Sequence, residues 1–182
     1  QHYTANIANA SRPYEGVLAA IDGFRAEGAA LAVCTNKLEA HARALLEALD
    51  MIPRFNAITG RDSLGVFKPD PRHLTSTIAL ANGTSDKAIM IGDTETDIAT
   101  AKAAGIPVIA VDFGYSTTPV AVFARSIGAR VTGNRPAAAA GAGSFLATAA
   151  GRTVVTTICS HSAASRSSGS RRSASRKKMP AD

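Results

Sequence analysis

Residues 88–105, Ala-Ile-Met-Ile-Gly-Asp-Thr-Glu-Thr-Asp-Ile-Ala-Thr-Ala-Lys-Ala-Ala-Gly, constrain this chain more than any other stretch. An apolar run that stops at a glycine, turns through an acidic residue and continues with apolar positions at helical spacing reads as a buried strand feeding a helix. Because Asp93 and Asp97 are four residues apart, they can share one side of the opening turn, about 6 Å apart along the axis. A hard cation could be held there. Taken alone, acids at a helix start are more simply a cap and a complement to the helix dipole, so what precedes them in the chain decides.

Upstream, strand and helix alternate. Tyr14 to Glu27 carries Val17, Leu18, Ile21 and Phe24 at helical spacing and stops at Gly28, a residue type that closes helices in the left-handed conformation. Ala30 to Cys34 is a continuous apolar run, too short for a helix and therefore a strand covered on both faces. A turn at Thr35-Asn36-Lys37 leads into a second amphipathic helix, Leu38 to Leu49, with Ala42, Leu45, Leu46 and Leu49 inward. Phe55 to Gly60 is a short strand. Asp70 and Pro71 supply an N-cap and a first helical position for a helix over roughly 72–82. The strand at 88–91, the helix at 95–104 and the strand at 107–111 complete the alternation. The expected fold is α/β, a Rossmann-like parallel sheet with helices on both faces.

Charge divides the chain into unlike parts. Residues 1–119 carry 10 Lys and Arg against 13 Asp and Glu, whereas residues 120–182 carry 10 Lys and Arg against the single Asp182, so the net charge of +6 arises in the tail. There the pattern dissolves: of 63 residues, 41 are Ala, Arg, Ser, Gly or Pro, which predicts a basic, low-complexity, disordered tail or an out-of-frame reading. Short apolar pieces such as Arg152 to Ile158 are expected to pair weakly at most. The run at 166–178 could touch nucleic acid, but nonspecifically. No apolar run is long enough to span a membrane, and two distant cysteines, Cys34 and Cys159, make neither a disulfide framework nor a metal knuckle. A cytoplasmic protein is expected. His2, His41 and His73 show no ligand spacing and are expected at the surface.

In an open parallel sheet, ligands gather at the carboxyl ends of the strands. Thr35 ends one strand, with its hydroxyl and the Asn36 N–H able to donate to an anion near a helix start. Lys68 precedes a proline, which holds it off the following helix and lets its ammonium reach the same crevice. Asp93 ends a third strand. A hydroxyl, an ammonium and a carboxylate pair suit a phosphoryl group with Mg²⁺, an ion that takes few protein carboxylates and keeps waters or substrate oxygens.

Val33-Cys-Thr35-Asn36, Lys68-Pro-Asp-Pro and Gly92-Asp93-Thr-Glu-Thr-Asp97, in that order and at these spacings, resemble the second, third and fourth motifs of the haloacid dehalogenase superfamily of phosphohydrolases. Within it the likeness is greatest to phosphoglycolate phosphatases and runs from about Gln1 to Pro119, including Asp112-Phe-Gly-Tyr. The resemblance implies that Thr35 and Asn36 bind phosphate, that Lys68 neutralises nucleophile and phosphate, and that Asp93, supported by Asp97, holds Mg²⁺. It also implies a small phosphorylated metabolite as substrate.

The family's nucleophile lies in an Asp-x-Asp-Gly-Thr motif on its first strand, ahead of a helical cap, and no Asp-x-Asp occurs in this sequence. The expectation is therefore a C-terminal piece, with residues 1–12 a remnant of the cap connection and the first strand and most of the cap absent. Such a chain would not form the aspartyl-phosphate on its own, and a sheet lacking a central strand would be poorly soluble. The competing reading is a noncatalytic phosphate- or nucleic-acid-binding module with a basic tail.

Overall fold

Helix α1 (Val17–Ala26) buries Ile21 and Phe24. It ends where Gly28 turns left-handed, at φ 79°, and lets the Ala29 N–H bond back to the Phe24 carbonyl. Leu18, one of the four apolar residues at helical spacing, faces out, because only one stripe of this short helix meets the sheet. The chain then runs through β1 (Ala30–Cys34), α2 (Glu39–Ala48), β2 (Ala57–Thr59), α3 (Pro71–Leu80), β3 (Ala88–Gly92), α4 (Glu95–Ala103), β4 (Val108–Val111), β5 (Arg130–Thr132) and β6 (Thr153–Thr156). The computed structural model describes residues 11–111, 130–132 and 151–157. Residues 1–10 of the expected cap remnant, Asp112-Phe-Gly-Tyr and the basic run at 166–178 lie outside the described residues.

Local chemistry accounts for the starts of α3 and α4. Asp70 caps α3 by accepting from the Arg72 N–H at 2.9 Å, with Pro71 at the first helical position. The Arg72 guanidinium on the same carboxylate holds its pKa down at about 2, so this cap stays ionised through the ordinary pH range. At the start of α4, Thr94 and Asp97 form a reciprocal capping box.

The six strands lie in the order β2-β1-β6-β3-β4-β5, and every pairing is parallel. Alternation along the strands divides the core in two, as the two-residue period requires. On one face Leu31, Val33 and Val154 pack with Ile21 and Phe24 of α1 and Leu46 of α2. On the other, Ala32, Cys34, Met90 and Val155 pack with Leu74 and Ile78 of α3 and Ile98 of α4. The expected α/β fold, with helices on both faces of a parallel sheet, is what forms. No helix among the described residues is long and apolar enough to cross a membrane.

Strand β6 departs from expectation. β1 and β3 are each bonded to it, with Ala30, Leu31, Ala32 and Val33 matching Thr153, Val154, Val155 and Thr156 on one side, and Ala88, Ile89, Met90 and Ile91 matching the same four on the other. Residues 153–156 and 130–132 therefore belong to the sheet, and the expected absence of packed elements beyond Val120 does not hold for them. Thr153, Val154 and Val155 are all buried. The central position expected to be vacant is filled by this chain's own segment, so the expected open edges, and the poor solubility argued from them, lose their basis.

Close approach explains one glycine beside this strand. A Cβ on Gly83 would fall within the Thr153 side chain, 2.8 Å from its Cβ and 3.1 Å from Ile78 Cγ2. Only a residue without a side chain leaves β6 room to seat.

Candidate functional site

The carboxyl ends of β1, β6 and β3 lie side by side. Since Val33 and Ile91 both face Thr156, Cys34, Thr157 and Gly92 are level, and Thr35 and Asp93 stand one residue further along the same edge of the sheet. The Thr157 N–H extends the ladder by donating to the Ile91 carbonyl at 3.3 Å.

Lys68 is brought to this edge by the loop between β2 and α3. Asn36, in the turn after β1, grips its backbone from both sides: Asn36 Oδ1 accepts from the Lys68 N–H at 3.1 Å, and Asn36 Nδ2 donates to the Lys68 carbonyl at 2.9 Å. The side chain then runs inward until it is 3% exposed, and Nζ donates to Asp97 Oδ1 at 2.5 Å and to Thr157 Oγ1 at 3.1 Å. Burying an ammonium is tolerable only because a carboxylate meets it.

Asp97 is fully engaged. Its other oxygen, Oδ2, accepts from Thr94 Oγ1 at 2.8 Å and from the N–H groups of Thr94 and Asp93 at 3.2 and 3.3 Å. Asp97 thus fixes the β3-to-α4 turn and orients the Lys68 ammonium at once. Gly92 makes this possible, because a Cβ there would stand 2.5 Å from Asp97 Cβ and 2.8 Å from its Oδ2. Asp93, 1% exposed, contributes the second carboxylate at the edge. Thr35 is 3% exposed; its N–H donates to the Thr59 carbonyl at 3.0 Å, and its hydroxyl oxygen accepts from the Lys37 N–H at 3.2 Å.

All five residues singled out from the sequence therefore lie at one edge of the sheet. Lys68 and Asp97 touch directly, and Asn36 holds Lys68. Thr35 and Asp93 flank them, directly after β1 and β3. The sequence reading missed Thr157. Its only signal was the run of β-branched residues from Thr153 to Thr157, and nothing local to that run names β1 and β3 as its partners.

Beneath Lys68, the first turns of α3 carry a buried polar cluster. Thr77 Oγ1 donates to the His73 carbonyl and approaches Thr59 Oγ1, both at 2.6 Å. His73 is 0% exposed, contrary to the surface position expected for it, because it falls on the face of α3 that meets the sheet. Neither ring nitrogen makes a hydrogen bond of good geometry among the described residues. Burial pushes its pKa below the ordinary 6.5, and the Lys68 charge adds to this, with the Gly60 backbone and Asp70 acting weakly in the opposite sense. An unfolded chain therefore takes up this proton before the folded one does. Stability is full above pH 6.5 and falls as pH drops below it, until the lowered folded-state pKa is passed. Melting temperatures measured between pH 7.5 and 5 are expected to fall on acidification. The fall should be shallower in a His73→Phe chain, and equal slopes for the two would count against this assignment.

The donors at the edge are hard oxygens, and among the described residues no group of three or more His, Cys, Asp or Glu is arranged to hold an ion. Such a set does not make a closed cage. It suits an ion that accepts one carboxylate and takes its remaining ligands from water and a phosphate.

The profile of the haloacid dehalogenase-like hydrolase family matches residues 1–111. A phosphoglycolate phosphatase of Mesorhizobium japonicum is 57% identical over 122 residues, 67% of this chain and 54% of that protein. Another, of Agrobacterium fabrum, is 44% identical over 119 residues, 65% of this chain and 51% of that protein. The crystal structure of a predicted phosphoglycolate phosphatase of Haemophilus somnus superposes with a TM-score of 0.64 at 29% identity, covering 71% of this chain and 57% of that one. The chain spans about half the length of the curated relatives it matches. With the family profile covering the whole segment that carries Thr35, Lys68, Asp93 and Asp97, the chain belongs to the haloacid dehalogenase-like hydrolase family.

Proposed function

We propose that this edge is a phosphomonoester site of the phosphoglycolate phosphatase kind, which takes a small phosphorylated metabolite together with Mg²⁺. The observation that carries the reading is the buried Lys68 ammonium, held at the ends of three neighbouring strands by Asn36, Asp97 and Thr157. A fixed positive charge at the rim of a water-poor crevice is suited to the charge on a phosphoryl group. Thr35 and the amides that open α2 add donors to the same anion. Asp93 is the residue to hold Mg²⁺, since the oxygens of Asp97 are engaged by Lys68 and the α4 cap. When bound, the ion supplies further positive charge to the phosphate oxygens.

Hydrolysis through an aspartyl-phosphate needs a carboxylate within reach of the phosphorus. The side chain that meets Lys68 from β6 is a hydroxyl, which favours binding without covalent turnover by this chain alone. Residues beyond the part of its relatives that this chain spans would supply the nucleophile and substrate selection. The noncatalytic phosphate-binding reading shares the same pocket and differs only in that step. A cytoplasmic location fits a soluble metabolite as ligand.

Calorimetric titration with inorganic phosphate tests the reading. Affinity is expected to rise when Mg²⁺ is added, and Asp93→Asn is expected to remove most of that gain, about ten-fold or more in Kd, as for hydrogen bonds and contacts to charged groups. Phosphate affinity indifferent to Mg²⁺ and to Asp93→Asn would overturn it. Release of phosphate from 2-phosphoglycolate by the 182-residue chain, above a Lys68→Ala control, would overturn the claim that it does not turn over.

A further inference from the structure

Strand β6 comes from a part of the chain remote from every other element of the site, yet it occupies the position that determines what stands in the middle of the crevice. β1 and β3 are each paired to β6, so the edge that carries Thr35 and Asp93 is continuous only through Thr157. The Thr157 backbone is committed at both ends. Its N–H donates to the Ile91 carbonyl, and its carbonyl accepts from Thr156 Oγ1 at 3.1 Å. That fixes where the side chain begins.

The hydroxyl is committed on one side only. Lys68 Nζ donates to Thr157 Oγ1 at 3.1 Å, so the threonine oxygen is the acceptor. Among the described residues this ammonium is the group the hydroxyl meets, which leaves its own proton to donate. The residue is half-buried, so that proton can face an incoming ligand. With a lone pair of its oxygen engaged by the ammonium, and no carboxylate or imidazole among the described residues bonded to it to remove its proton, the hydroxyl is also a poor nucleophile.

We infer that Thr157 is a phosphate-positioning residue: its hydroxyl, oriented by Lys68, donates to a phosphoryl oxygen between Thr35 and Asp93 and completes the pocket as a noncovalent one. The inference rests on the phosphate-site reading above and adds to it a residue from the far end of the chain. The binding step breaks no bond and needs no co-reactant.

Titration of the full 182-residue chain with inorganic phosphate, with and without Mg²⁺, alongside circular dichroism melts, tests it. Thr157→Val, nearly isosteric and without the hydroxyl, is expected to weaken phosphate binding about ten-fold, the worth of one hydrogen bond to a charged group. Thr157→Ser is expected to bind within about three-fold of the parent, which a merely space-filling role would not require. Thr157→Asp keeps a partner for Lys68 but sets a negative charge in the pocket, and is expected to lose phosphate binding in the absence of Mg²⁺. Parent-like affinity in Thr157→Val, or in Thr157→Asp without Mg²⁺, with Lys68→Ala losing it, would overturn the role of Thr157 and leave the site reading standing. Absence of phosphate binding by the parent chain would overturn both.

Discussion

A Lys68→Met chain is expected to lose about 3–5 kcal/mol of stability in urea unfolding, because it strands a buried carboxylate without its cation. Asp97 is 1% exposed, and one of its oxygens faces only the ammonium among the described residues. Its other oxygen keeps the Thr94 and Asp93 donors, so the carboxylate cannot swing out to water without dismantling the α4 cap. Both routes to relief are costly. Against a typical domain stability of about 5–15 kcal/mol, such a loss approaches the whole. The double variant Lys68→Met/Asp97→Asn should recover part of it by removing the stranded charge, and the cycle should return a coupling of about 1–3 kcal/mol. A single-variant loss under about 1 kcal/mol, the size seen for exposed pairs, would mean that the pair is wet rather than buried. Phosphate binding should vanish in Lys68→Met in either case, which separates the stabilising role of this residue from its role at the site.

Replacing Gly83 with valine is expected to unseat β6 and to be the most damaging single substitution outside the pocket. The new Cβ would overlap the buried Thr153 side chain, and turning Thr153 to another rotamer does not relieve its 2.8 Å approach to Thr153 Cβ. Either the segment after α3 or β6 must move. Val154 and Val155, buried on opposite faces of the sheet, are each worth about 1.5–3 kcal/mol when fully buried, and both would be forfeited with the strand. β1 and β3 would also lose their shared partner. Hydrogen exchange is the direct check, since protection of amides in β1 and β3 should collapse while α2 keeps its local protection. Unchanged protection in β3 would show that the Gly83 backbone gives way instead and that β6 stays in place.

The sequence was informative wherever one element's structure depends on its own residues. The Ile89-Met90-Ile91 run stopping at Gly92 and Asp93, the Asp70-Pro71 helix start and the left-handed close at Gly28 depend on φ/ψ preference, capping and the burial period, all local to a few residues. The gathering of the candidate site residues at one edge was legible for a related reason. Thr35, Asn36 and Asp93 follow directly on strand ends, with Lys68 in the loop after β2 and Asp97 in the first turn of α4, and a parallel sheet aligns its strand ends whatever the details of packing. Their division of labour was not legible. Asp93 and Asp97 look alike in sequence, yet Asp97 is drawn into the capping box and the Lys68 pair because Gly92 lets its side chain fold back over the turn.

His73 and β6 mark the limit of that reading. His73 is polar by composition and buried by geometry, since the face of α3 that meets the sheet depends on how the helix is laid against it. The segment Thr153 to Thr156 sits among Ala, Arg and Ser, and its own residues specify only that it can be a strand. By itself the sequence determined the alternation of strands and helices, the caps and the roster of groups at the crevice, because each follows from interactions between near neighbours. Only the tertiary structure decided that residues more than forty positions beyond β4 fill the centre of the sheet and set a threonine hydroxyl against Lys68. That choice rests on a slot bounded by β1 and β3, a partner no stretch of the chain contains on its own.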